Sequence, residues 1–345
     1  MPRPTTRLIS CRLVTAMIAL CVTAGCGSLA RVPEQTYLGA SYNWEFRDLF
    51  PRSDRLFNAF DYGHAILYER LLRDRGVAEA ARDIEGREFH FITTRLLVHP
   101  PSLPLEEHAI APTYVKLVPE LSAVFDWAHM LHRQLYDVLA EPKLDSAQRD
   151  ERVAQLLRYY ESRQDLALST RPKSMSLMEG APYSLEFRRQ DPKFNGLLWS
   201  YHWYQLVLYD ALLATSDPSG EHQNVDAATS RFWELIGDAP SHMPSVMPLA
   251  AAVAPRFAQR YPEAAIVFDN LHALHDVVSD ILVSPLISPR EKRSTILRAM
   301  KSFQDSTTAV VTRDEWRSMA QDMGAAQMGG IAPTPATHHA ASAVP

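Results

Sequence analysis

Apolar residues recur every three or four positions in several long stretches of the chain, a pattern typical of helices that bury one face. Since a proline inside a helix removes a backbone hydrogen bond, Pro262 is expected to kink or divide one of these stretches. The long helices are predicted over residues 54–75, 119–140, 193–215 and 255–283, and shorter ones over 145–163 and 226–236.

Local signals indicate where some helices begin. Asp145 is a predicted helix cap, and Ser288 and Thr312 each precede a glutamate three places on, as in a capping box. The run from Glu88 to Val98 gives a weak strand signal, and no Asn-Gly or Asp-Gly hairpin turn occurs. The sequence therefore predicts an all-α fold, a helical bundle of four long histidine-bearing helices with additional shorter helices.

The two ends of the chain are predicted to lie outside this bundle. Three arginines precede an apolar stretch from Leu13 to Thr23 that is too short to span a bilayer, a pattern typical of an export signal. We assign residues 1–25 to a signal peptide, 26–50 to a tether and 51–323 to the bundle. Residues 324–345 are rich in Ala, Gly, Pro and Thr, and we expect a disordered tail there.

The end of the signal carries a further motif, small residues before a cysteine in Thr23-Ala24-Gly25-Cys26. It resembles the lipobox of bacterial lipoproteins, which implies a diacylglycerol on Cys26 and a lipid anchor in the cell envelope. Gly27, rather than Asp, follows the cysteine, and by the same resemblance this favours the outer membrane, facing the periplasm. An ordinary signal peptide cleaved nearby is the alternative.

Cysteine use and charge exclude several classes of function. All three cysteines lie in or at the edge of the signal, so the mature chain has no disulfide, thiolate nucleophile or cysteine-ligated zinc. Without the three signal arginines, 32 of the 35 basic residues remain against 40 acidic ones, a net charge of −8. This balance argues against nucleic acid as a partner. The common nucleotide-binding and hydrolase motifs are absent from the sequence.

Histidines interrupt the apolar stripe of each long helix near its middle. The spacing D-x-x-H occurs three times and is twice extended to D-x-x-H-x-x-H. Residues three apart on a helix lie on neighbouring positions of one face, so an Asp and a His can approach one metal ion, or one can orient the other. The candidate metal-binding residues are His64, His129, His132, His202, His272, His275, Asp61, Asp126 and Asp269.

Burial of so many polar side chains is costly unless each finds a partner, at about 1–3 kcal/mol for an unpaired group. A shared cation would satisfy imidazoles and carboxylates together, and a set without thiolates suits iron, manganese or zinc. The acid-x-x-His order resembles that of ferritin-like di-metal bundles, which implies an iron centre with redox or oxygen-related activity. In this chain, however, Asp replaces Glu and histidines outnumber acids, so a mononuclear or a dinuclear centre fits.

Three alternatives remain open from the sequence. The histidines and aspartates could form a buried polar network that fixes helix register. Two histidines facing each other could instead ligate a non-covalent haem between aromatic side chains. The chain could also be a non-catalytic envelope lipoprotein that acts as a partner-binding or scaffold subunit. We expect contact with the membrane through Cys26, and an envelope protein or redox partner.

Overall fold

The computed structural model describes residues 36–73, 83–104 and 107–333, and this part of the chain is helical. No strand forms among these residues; the pairing of Lys173 with Val310 is an isolated bridge. The predicted all-α class is confirmed. The signal peptide, Cys26 and the chain after residue 333 lie outside the described residues.

The helices follow one another with short connections, and many begin at a proline, whose missing N–H costs nothing in a first turn. Their bounds are α1 Glu45–Leu49, α2 Pro51–Arg73, α3 Phe89–Phe91, α4 Glu107–Ile110, α5 Pro112–Leu117, α6 Pro119–Ala140, α7 Ser146–Glu161, α8 Ser176–Glu179, α9 Glu186–Gln190, α10 Pro192–Leu213, α11 Pro218–Gly237, α12 Ala250–Val253, α13 Pro255–Arg260, α14 Pro262–Val283, α15 Lys292–Gln304 and α16 Arg313–Met323.

Four of these helices, α2, α6, α10 and α14, are 22 or 23 residues long and carry the histidine-bearing stripes. Helices α2 and α6 each contact both α10 and α14, so the four meet around a common interior. Helices α10 and α14 are buried along almost their whole length, because the remaining elements cover their outer sides. None of the helices in the described part of the chain is both long and apolar enough to cross a membrane.

Some local predictions are confirmed and others are wrong. Capping boxes form at Asp145 and Thr312. At Ser288, however, the hydroxyl donates to Glu291 instead of accepting a backbone N–H, and the helix begins only at Lys292. The strand-like run from Glu88 to Val98 is helical up to Leu96, because π-turns over Ile84–Glu88 and Ile92–Leu96 flank α3.

The packed body extends past both predicted limits of the bundle. In the expected tether, Tyr37 and Phe46 are buried, and the backbone N–H of Leu38 donates to Gln134 on α6. In the expected disordered tail, residues 325–328 form a 3₁₀ turn. Met328 is fully buried, and the indole N–H of Trp203 donates to the carbonyl of Gly330. Apolar side chains at these places attach both segments to the core.

The order of helices occurs twice along the chain. In both copies a five-residue helix precedes a long helix that starts at a proline, and a six-residue helix precedes a second one. The sequences correspond at spacings of 141 residues (Tyr42 with Tyr183) to 143 residues (Pro119 with Pro262). We call residues 42–161 the first repeat and residues 183–304 the second repeat.

Equivalent side chains of the two repeats make equivalent contacts. Asp137 accepts the backbone N–H groups of Trp44 and Phe46, and its counterpart Asp280 accepts those of Leu185 and Phe187. Both Trp44 and Leu185 have a positive φ, the left-handed backbone that each carboxylate holds in place. The two repeats therefore share one folding pattern, and α2, α6, α10 and α14 are its paired long helices.

Candidate metal centre

The histidine stripes of the four long helices meet in the interior. One ring nitrogen from each of His64, His202 and His275 lies within 4.8 Å of the other two. These residues come from α2, α10 and α14, and each is no more than 6 % exposed. Three buried imidazoles at this spacing could hold a metal ion. We call them the histidine trio.

Two members of the trio face each other directly. The Nδ1–H of His64 donates to the carbonyl of Phe60 at 2.9 Å, so its Nε2 carries a lone pair. That Nε2 lies 3.2 Å from the Nε2 of His202. The hydrogen bond from Nδ1 to Phe60 fixes the tautomer and orients the free Nε2, as such bonds do in histidines that bind metals. His64 is therefore arranged as a ligand.

The other three histidines continue the cluster around the trio. The ring of His272 stacks on that of His202, with centroids 4.1 Å apart, and lies 6.1 Å from the ring of His132. On the opposite side, the ring of His129 lies 5.7 Å from that of His275. The structure thus brings all six sequence-predicted histidines into one group of rings.

Burial keeps five of these imidazoles neutral. It lowers the pKa of His64 to about 4, and the hydrogen bond to Phe60 opposes the shift. The pKa values of His132, His202, His272 and His275 fall well below the ordinary value, first through burial and then through repulsion by neighbouring imidazoles. Neutral imidazole is the form that binds metal ions.

Several buried ring nitrogens lack a hydrogen-bond partner among the described residues. They are both nitrogens of His272, Nε2 of His132, Nδ1 of His202 and Nδ1 of His275. Buried polar atoms are nearly always hydrogen-bonded, and each exception costs about 1–3 kcal/mol. This concentration of unpaired imidazole nitrogens is the feature that a bound cation would relieve.

The three predicted aspartates occupy different surroundings. Asp61 accepts a hydrogen bond from Arg133 at 2.9 Å and lies 3.9 Å from Nδ1 of His129. Asp126 lines the same cavity as Asp61, Arg133 and His129. Asp269 is turned away from the imidazoles.

The carboxylate oxygens of Asp269 accept hydrogen bonds from the backbone N–H of Ala250 and the indole of Trp316, at 2.9 and 2.8 Å. Burial raises its pKa to about 7. The spacing along the helix could not predict this orientation of Asp269, because its hydrogen-bond partners come from other segments of the chain. Asp269 therefore links helices, and we remove it from the ligand set.

A cavity connects the histidine trio with the surface. Its volume is about 710 Å³, counted with the solvent at its mouth. His64 and His275 line it, and its other polar lining includes His129, Asp61, Asp126, Glu107 and Arg133. Two imidazoles of the trio are thus reached by a path with charged walls.

Some residues that support the centre escaped sequence reasoning. Tyr209 donates from its hydroxyl to the carbonyl of His132 at 3.0 Å, and its counterpart Tyr68 donates to the carbonyl of His275 at 3.4 Å. Gly63 allows α2 to approach α10, since a Cβ there would lie 3.1 Å from the ring of Tyr201. The 141-residue repeat, which pairs Tyr68 with Tyr209, was the signal that would have identified both tyrosines.

Comparison with protein-family models, with curated proteins and with solved structures finds no match for this chain.

Proposed function

We propose that this protein is a lipid-anchored envelope metalloprotein whose histidine trio binds a redox-active transition metal. The observation that carries the proposal is the convergence of one ring nitrogen from each of His64, His202 and His275 within 4.8 Å, in a buried site. Nearby, Nε2 of His132 and both ring nitrogens of His272 are buried without a hydrogen-bond partner among the described residues.

The spacing of the ring nitrogens suits a small coordination sphere. Two ligands at about 2.0–2.1 Å from a tetrahedral ion lie about 3.3 Å apart. The Nε2 atoms of His64 and His202 lie 3.2 Å apart, so an ion fits between them with little movement. The third nitrogen, from His275, lies within 4.8 Å of the other two and would move closer to them to reach the same ion.

The donor set favours iron or copper over ions that prefer oxygen. The sequence favoured iron because aspartates shared the histidine stripes. With Asp269 bonded elsewhere and Asp61 paired with Arg133, the trio offers imidazole alone, which suits iron, copper and zinc. Of these, iron and copper change oxidation state, and we propose that one of them is bound and serves redox chemistry.

The cavity suggests what reaches the metal. His64 and His275 line it, so a molecule of the size of dioxygen or peroxide has a path from solvent to a metal at the trio. We propose an oxygen-related reaction at this position, with an envelope protein as electron partner. The lipobox-like Cys26 would hold the protein at the outer membrane, facing the periplasm.

The alternatives predicted from the sequence find less support. A haem between His64 and His202 would have to displace the rings of His275 and His272, whose centroids lie 4.6 and 4.1 Å from those two rings. A non-catalytic scaffold lipoprotein, or a purely structural polar network, leaves the unpaired buried imidazole nitrogens without an explanation.

The decisive test is elemental analysis and visible spectroscopy of the full-length chain, expressed without a histidine tag and extracted from membranes with detergent. We expect iron or copper in stoichiometric amount, lost on replacement of His202 by Gln. The exposed His90 gives the matched control, because His90→Ala should leave the metal content unchanged. A colourless, metal-free protein that cannot be loaded with Fe²⁺ or Cu²⁺ would refute the proposal.

A further inference from the structure

The deepest part of the histidine cluster holds ring nitrogens that the trio does not use. Both nitrogens of His272, Nε2 of His132 and Nδ1 of His202 are buried and have no hydrogen-bond partner among the described residues. The three side chains belong to residues no more than 3 % exposed. One ion at the trio engages His202 through Nε2 and leaves these four nitrogens unsatisfied.

The His132 ring is oriented as a ligand by the same device that orients His64. The Tyr209 hydroxyl donates to the carbonyl of His132 at 3.0 Å and lies 2.7 Å from its Nδ1. With the hydroxyl proton on the carbonyl, Nδ1–H donates to the hydroxyl oxygen and Nε2 carries the lone pair. A neutral imidazole whose Nδ1–H is held by a neighbour presents Nε2 to a metal.

Among the described residues, only the trio brings three candidate donor atoms within 4.8 Å of one another, so coordination at a second site requires rotation of its rings. Two imidazoles that coordinate one ion through bonds of about 2.0–2.1 Å have centroids on the order of 5–6 Å apart. The His132 and His272 centroids lie 6.1 Å apart. The stacked rings of His202 and His272 are closer, at 4.1 Å, and would open by about 1 Å on coordination.

The internal repeat supports the role of His132. His132 in the first repeat corresponds to His275 in the second, and the tyrosine contacts of the two residues correspond as well. The counterparts of His64 and His202 are Gln205 and Asp61, so the two halves of the cluster differ in their ligands. His272 corresponds to His129, which lies 3.9 Å from Asp61, whereas both ring nitrogens of His272 are buried without a partner among the described residues.

We propose that the centre is dinuclear, with a second metal ion bound by His132, His272 and Nδ1 of His202, and with His202 bridging the two ions. The bridging ring binds through both nitrogens as imidazolate, and its remaining ring proton leaves to solvent. This inference rests on the proposed function, because it adds an ion to the same cluster.

The test is titration of metal-free full-length protein with Co²⁺, followed by the visible absorption of the bound ion and by elemental analysis. We expect two equivalents for the unmodified chain, one for His272→Gln and one for His132→Gln. The His90→Ala control should bind two. A single equivalent that His272→Gln leaves unchanged would overturn the second site and keep the proposed function, whereas no binding would overturn both.

Crystals of the Co²⁺-loaded unmodified protein give a measurement that does not depend on how well a variant folds. Anomalous scattering should show two peaks roughly 6 Å apart, the span of one imidazole ring and two metal–nitrogen bonds. A single peak at the histidine trio would overturn the inference.

Discussion

The Nε2 atoms of His64 and His202 lie 3.2 Å apart although 138 positions separate the two residues in the chain. Without a metal, the Nε2–H of His202 donates to the lone pair of His64. A bound ion would replace this hydrogen bond by two coordinate bonds. At this pair of nitrogens the hydrogen bond and the metal therefore exclude each other.

Metal removal should lower thermal stability. A ligand at a free concentration 100 times its Kd stabilises the folded state by about 3 kcal/mol. For a chain of this size we expect the midpoint of thermal unfolding to fall by about 5–10 °C when a chelator removes the metal. Differential scanning calorimetry of loaded and chelator-treated protein measures the shift.

The fall in the unfolding midpoint on chelator treatment should disappear in His202→Gln and persist in His90→Ala. Equal midpoints for the loaded and metal-free unmodified protein would argue that the cluster is a polar network.

Arg133 is expected to be a strong contributor to stability. Its guanidinium donates to Asn58 and Asp61 and forms an ion pair with Asp54, and only 12 % of its side chain is exposed. In Arg133→Met, Asp61 loses its arginine partner and Asp54 keeps only Arg47, so unfolding in urea should show a loss of about 1–3 kcal/mol.

Arg293→Met is the matched control, since its exposed ion pair with Glu120 is worth about 0–1 kcal/mol. Similar losses in the two variants would contradict this account of the cavity wall.

Tyr209→Phe should weaken the centre by freeing the His132 ring. Loss of the hydroxyl leaves Nδ1 of His132 without a partner in the interior, at a cost of about 1–3 kcal/mol in unfolding free energy. It should also lower affinity for the second metal ion about 10–100-fold, the usual effect of losing a partner that orients a ligand. Competition with a chromophoric chelator measures the affinity.

Tyr159→Phe separates the two effects. Its hydroxyl donates to the carbonyl of Thr36, away from the histidine cluster, so the variant should lose stability without losing metal affinity. A Tyr209→Phe variant with unchanged affinity would show that Tyr209 does not position His132.

Asp137 should make stability depend on pH. Burial raises its pKa to about 7, with the two backbone N–H groups opposing the shift. An unfolded aspartate titrates near pH 4, so between about pH 4 and 7 the folded state binds more protons than the unfolded state. The contribution of Asp137 is therefore fully present below pH 4, and about 4 kcal/mol of it is lost as the pH rises to 7.

Buried histidines have the opposite dependence, so the comparison must be made between variants of the metal-free protein. The unfolding free energy of the unmodified chain minus that of Asp137→Asn should decrease from pH 5 to pH 8, measured in urea. A difference that rises with pH would mean that the carboxylate is ionised in the folded state throughout.

Lipidation at Cys26 remains a prediction from the sequence. Cys26→Ser should abolish incorporation of radiolabelled palmitate and release the protein from the membrane fraction. Cys21→Ser, a change within the predicted signal peptide, should retain both. Persistent labelling of Cys26→Ser would place the modification elsewhere.

The histidine cluster was largely predictable, because helical periodicity determines which side chains of a helix face the interior. His64, His132, His202 and His275 lie on apolar stripes, and each lies in the cluster. The sequence could not determine which nitrogen of each ring is free. That depends on partners such as Phe60 and Tyr209, which local spacing does not reveal.

The aspartates show the limit of the same reasoning. A residue three positions from a core-facing histidine lies about 60° around the helix, so it can face the core or a neighbouring segment. For Asp269, contacts with Ala250 and Trp316 decide the outcome. The weak strand signal from Glu88 to Val98 has a related origin, since its mixed apolar pattern is that of π-turns rather than of alternation.

The two repeats carry different donor residues at the proposed metal centre. In the alignment of the two repeats, His64 corresponds to Gln205 and Asp61 corresponds to His202, so each half holds a donor that the other lacks. In a symmetric pair of first halves an aspartate would replace His202, and in a pair of second halves a glutamine would replace His64. The complete donor set exists only in the fused chain, whose covalent linkage keeps the unlike halves at equal concentration.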